Sequence, residues 1–135
     1  VVDIMPDDPS ILGFSNYWYK DGIENSVDYN ISEKLSIKIF SAPYLIASKI
    51  EAFKNRGRND ITVSTDFEDI IYILDNRKEL IEEISVASKE IKDYLTETFK
   101  ELLDNSLIEE GITYCLPYGS NLEKIINIMK KISSL

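Results

Sequence analysis

The chain has 135 residues, a formal net charge of −9 and 44 % hydrophobic residues. That bounds it at one domain, or part of one, with enough apolar material for a real core. The absence of histidine and the single cysteine, Cys115, exclude Ser-His-Asp and Cys-His catalysis, histidine zinc sites and intramolecular disulfides. The acidic balance argues against broad, salt-driven nucleic-acid binding. Any chemistry has to rest on carboxylates, lysine, arginine, hydroxyls or a hard metal ion.

In chain order, residues 1–5 (VVDIM) alternate as a short strand, with Asp3 on one face and Val2 and Ile4 on the other. Pro6 and the Asp7-Asp8-Pro9 cluster end it. A chain that opens inside an apolar run without a methionine is expected to be a fragment. Residues 16–26 carry Tyr17, Trp18, Tyr19 and Ile23 and predict a short helix with an aromatic face. Val27, Tyr29 and Ile31 alternate, as do Leu35, Ile37 and Ile39, with Ser32-Glu33-Lys34 as a hairpin connection.

Helices follow. Ser41 as a cap and Pro43 in the first turn start one that runs to about Arg56 and stops at Gly57. Thr65 with Glu68 three residues later has the capping-box form, ahead of Phe67, Ile70, Ile71 and Leu74. Leu80, Ile81 and Ile84 mark a further helix, and Ile91, Tyr94, Leu95, Leu102 and Leu103 a longer one. Ser120 with Glu123 repeats the capping spacing before Leu122, Ile125, Ile126, Met129 and Ile132. Short strands followed by helices predict an α+β chain with a helical C-terminal half. The apolar runs are too short for a bilayer span and no leader pattern is visible, so a cytoplasmic protein without membrane contact is expected.

Residues 49–69 concentrate the chemistry. Lys49, Lys54, Arg56 and Arg58 lie within ten residues against one acid, Glu51, opposite in sign to the chain as a whole. Two readings account for that: a phosphate-bearing ligand, or an internal ion-pair network with Asp60, Asp66 and Asp69. On a helix, positions 46, 49, 50 and 53 share a side, so Lys49 sits on the apolar stripe with Ile46, Ile50 and Phe53. There its ammonium needs a carboxylate or phosphate, unless its stem simply covers the core while the charge reaches water. Arg56, seven residues on, projects from the same side.

Asp66 and Asp69 share a helix face and can pair with these cations, orient them or help hold a metal. Asp66 is also explained by the helix dipole alone. Asp3 is a strand carboxylate of the kind that holds Mg²⁺, or a residue on an exposed edge. Cys115, in TYCLP, reads as a packed side chain. Tyr17, Trp18 and Tyr19 could stack on a base, though burial tendencies favour packing.

The segments VVDIMP, ILGFSNYWY, SAPYLIASKIEAFKNRGRND and STDFEDIIYILDNR together resemble the later part of AbiEii/AbiGii-type nucleotidyltransferases. These are toxins of bacterial abortive-infection and type IV toxin–antitoxin systems. The resemblance covers residues 1–77, and the helical remainder agrees in character only. It implies that residues 1–40 end a polymerase-β-like nucleotidyltransferase sheet and that residues 41–135 form a helical domain packed with it. It implies transfer of a nucleotide from an NTP, with Mg²⁺, to an acceptor such as the 3′ end of tRNA or another RNA, and a cognate antitoxin as partner.

In that family pattern Asp3 matches the third strand acid, Lys49 the lysine of the helix motif, Arg56 or Arg58 the trailing basic residue, and Asp66 and Asp69 the downstream acids. The family's Gly-Ser turn and Asp-x-Asp pair, which precede the third acid, have no counterpart here, so this chain alone is expected to be inactive. The rival reading is a non-catalytic interaction module or remnant that binds a protein partner. The enzyme reading requires the Lys49 ammonium to face inward, toward Asp66 and Asp69.

Overall fold

A computed structural model describes residues 16–56, 60–117 and 121–135, apart from the side chain of Arg56. The strand expected over residues 1–5, and with it Asp3, Gly57, Arg58 and Ser120, lie outside the described residues. Within them the order is α1 (Tyr19–Glu24), β1 (Val27–Ser32), β2 (Leu35–Ile39), α2 (Ala42–Arg56), α3 (Thr65–Asn76), α4 (Leu80–Ser85), α5 (Lys89–Leu103), α6 (Ile108–Cys115) and α7 (Leu122–Ile132). The fold is α+β, two antiparallel strands followed by a mostly helical half.

The hairpin follows from its alternation. Val27 faces Ile39 and Tyr29 faces Ile37, while Asp28 faces Lys38. Directly opposed residues share a face of an antiparallel pair. One face is therefore apolar, and the other carries the Asp28–Lys38 ion pair, 3.4 Å long. A register shift between Asn30 and Ser32 lets Ile31 and Ser32 together oppose Leu35. At the base of the hairpin the Phe40 ring stands edge-on to Tyr19 and so close to Gly22 that a Cβ there would lie 2.7 Å from it.

Helix α2 begins as its sequence predicts, with the Ser41 carbonyl accepting from the Leu45 N–H. It buries Ile46, Ala47, Ile50 and Phe53. Helix α3 corrects the expected cap. Ser64, not Thr65, is the N-cap, and its hydroxyl accepts from the Phe67 N–H; Thr65 is the first helical residue. Ser64 adopts an extended backbone, which a cap requires and a first-turn residue lacks. The cap of α7 shifts likewise, to Asn121, whose side chain accepts from the Lys124 N–H.

Helix α5 aligns Ile91, Leu95, Phe99 and Leu102 on one buried face, and α7 aligns Ile125, Met129 and Ile132. Helix α6 is the element that sequence reasoning did not anticipate. Gly111 in its centre depresses helix propensity, yet a side chain there would collide with Ile61, whose Cγ1 lies 2.9 Å from the ideal Cβ position. Packing against the loop before α3 sets that residue. A single apolar cluster runs from Trp18 through α2, α3, α5 and α7, and it holds α2 and α3 side by side.

Candidate functional site

The candidate site lies where α2 and α3 pack together. On α2, Ile46, Ile50 and Phe53 are each at most 3 % exposed, which fixes the rotation of the helix and turns Lys49 toward α3. Ser64 fixes the start of α3, so that Asp66 and Asp69 fall in its first two turns. The Lys49 Nζ lies 2.6 Å from an Asp69 carboxylate oxygen and 3.7 Å from one of Asp66. The side chains are 29 %, 52 % and 4 % exposed for Lys49, Asp69 and Asp66. Asp66 is thus closed to solvent and held among packed residues, whereas Asp69 opens to water.

This arrangement meets the geometric requirement that the sequence set for Lys49. It also supplies the contacts that an internal ion-pair network would make. Among the described residues Asp60 does not join them: its carboxylate accepts from the Thr62 hydroxyl, at 2.6 Å, and from the Thr62 N–H, at 3.0 Å. Those two bonds hold its carboxyl below the usual range, the hydroxyl contributing most.

The basic cluster also divides. Lys54 turns away from Lys49 toward α5, with its Nζ 3.6 Å from Glu101, 3.5 Å from the Thr98 hydroxyl and 5.2 Å from the Tyr94 ring centre. Five residues separate the two lysines, which on a helix places them on different sides. Arg58 and the side chain of Arg56 lie outside the described residues, as does Asp3.

A second polar cluster was not anticipated. Glu51, the lone acid among the cations, accepts a hydrogen bond from the Tyr94 hydroxyl. The Tyr94 ring packs against Trp18, with centroids 5.0 Å apart. Burial first, then the bond to Glu51, pushes the Tyr94 phenol well above its ordinary value. Trp18 is 2 % exposed, so its indole packs in the core; Tyr17 alone of the aromatic trio stands largely in solvent, bonded to Glu90. Nothing local signals the Glu51–Tyr94 bond, which spans 43 residues.

The ammonium of Lys49 already stands between Asp66 and Asp69, where a cation would sit. Among the described residues no group of three or more acidic or thiol side chains is gathered that could hold a metal ion. Cys115 is half-buried at the end of α6, and burial pushes its thiol up to about 11, the opposite of what a nucleophile needs.

Among the described residues no helix is long and apolar enough to cross a membrane. Neither a protein-family model, nor a curated protein, nor a solved structure matches the chain.

Proposed function

We propose that this chain is part of a nucleotidyltransferase-like protein, in which the face of α2 that carries Lys49 receives the phosphates of an NTP. The observation that supports this most is the inward-facing lysine bonded to one closed and one open carboxylate. Asp66, shut from solvent, positions the ammonium. Asp69, open to water, is the acid that an incoming phosphate can displace, because an exposed pair is weakly held. Once displaced, it is also the carboxylate able to accept a proton from an acceptor hydroxyl. Lys49, with Arg56 and Arg58, would spread positive charge along the phosphates, which is the main demand of phosphoryl chemistry.

Mg²⁺ would be the metal in this reading, held by Asp3 and not by Asp66 or Asp69. An RNA end is the acceptor class, and a cognate antitoxin the protein partner, that the resemblance suggests.

Titrating the chain with each NTP in the presence of Mg²⁺ by calorimetry checks the reading. Measurable binding that falls at least about tenfold in Lys49→Ala is expected. Equal affinity in the variant would remove the phosphate role from this helix.

A second reading rests on a different observation. The apolar face of the hairpin stays largely exposed among the described residues, which suits a non-catalytic interaction module.

A further inference from the structure

The hairpin presents a surface that the helices leave bare. Val27, Tyr29, Ile31, Leu35, Ile37 and Ile39 are 38–56 % exposed, although their alternation would bury them in any sheet with a covered face. A two-stranded sheet is marginal by itself and gains stability when that face is packed. Val27 and Ile39 also line a groove of about 410 Å³ that continues from the hairpin to Phe40, Ile73 and Tyr72 on α3. Tyr72 is itself 68 % exposed. The bare face and the groove therefore form one continuous, mainly apolar surface, with Asn76, Arg77 and Glu83 also in the groove's lining.

We propose that this surface is a dimer interface, occupied by the same surface of a second copy of the chain. Two observations support that occupant. First, the six hairpin residues and Tyr72 would, when fully covered, bury on the order of 700 Å² per copy, or about 1,400 Å² for a pair, within the range of stable specific interfaces.

Second, the hairpin part of this surface carries no charge. The Asp28–Lys38 ion pair lies on the opposite side of the hairpin, so a neutral apolar partner fits it and a highly charged one does not. This is the neutral apolar surface that the chain itself supplies. The groove beside it holds Arg77 and Glu83, which pair with each other and so offset their charges. The proposal is independent of any nucleotide at Lys49.

Sedimentation of the whole chain over roughly 1–200 µM tests it. The expected result is a reversible shift toward about twice the 15.5 kDa of one chain. The shift should strengthen between about 0.15 and 1 M salt, because salt screens the repulsion between acidic copies and favours apolar burial. Tyr29→Lys combined with Ile37→Lys should weaken association at least about tenfold while the helical circular-dichroism signal stays unchanged. Asn30→Lys, on the polar face, should leave it as it is.

A chain that stays monomeric across the range overturns the proposal. It is overturned equally if hydrogen exchange finds the hairpin as protected in the monomer as in the associated form. A dimer indifferent to the Tyr29/Ile37 change would place the interface elsewhere and sink the proposal too.

Discussion

At Lys49 a charged group is placed on an apolar helix stripe, and the stability of the junction between α2 and α3 depends on how that charge is met. Its pair with Asp69 is partly exposed and contributes little; its approach to the closed Asp66 contributes more. Lys49→Ala should destabilise the protein by about 1–2 kcal/mol, less than a fully buried pair would lose. Lys49→Met keeps most of the stem and should recover the packing share of that loss but none of the electrostatic share. Urea denaturation of both variants separates the two contributions. Equal midpoints for Lys49→Met and the unaltered chain would mean that the charge adds nothing to folding.

This residue was legible in the sequence because helical periodicity alone puts position 49 beside 46, 50 and 53. Its partners were legible too, since Asp66 and Asp69 are the acids nearest the start of the next helix. Asp60 was not, because a carboxylate two residues from a threonine is satisfied locally, and charge counting does not register such a bond.

At the scale of elements, the start of α3 carries both acids, and its geometry rests on one hydroxyl. Ser64→Ala should cost about 1 kcal/mol, the usual loss for a side-chain N-cap. Thr65→Ala, at an exposed first-turn position, should stay within about 0.5 kcal/mol. Thermal unfolding of the two variants compares them directly, and the reverse order would restore Thr65 as the cap.

Sequence spacing pointed to Thr65, which has a glutamate three positions later, whereas Ser64 has the right backbone. Backbone conformation decides a cap, and spacing cannot report it. Helix α6 was missed for a related reason. Its central glycine signals a break locally, while the close approach of Ile61, a tertiary contact, is what selects that glycine. The two strands of the hairpin were legible, since alternating runs and a short polar turn need no long-range information; Ser32, expected in the connection, instead ends β1 opposite Leu35 beyond a register shift.

For the whole molecule, the groups whose protonation couples to folding point to alkaline pH. Burial, and then the charge of Glu68, raises the Cys115 thiol from 9.0 to about 11, and burial and Glu51 raise the Tyr94 phenol above 10.0. A raised folded value means that the native state keeps its proton after the unfolded chain has released it. The associated stability is complete below about pH 9 and is lost as pH climbs toward 11. Cys115 accounts for on the order of 1 kcal/mol of this after solvent screening.

Melting temperatures recorded from pH 7 upward should fall beyond pH 9, and Cys115→Ala should flatten the first part of that fall. A variant with the same slope would show that the thiol stays protonated in both states or ionises in both.

The sequence by itself determined the strands-then-helices order, the inward face of α2 and the chemistry that is barred by the lack of histidine. These follow from periodicity and composition, which are local or additive. Only the tertiary structure decided that Lys54 leaves Lys49 for α5, that Glu51 meets Tyr94, and that no described helix covers the apolar face of the hairpin. Each of those depends on which surfaces meet across dozens of residues, and contact between distant segments is set by packing of the whole chain.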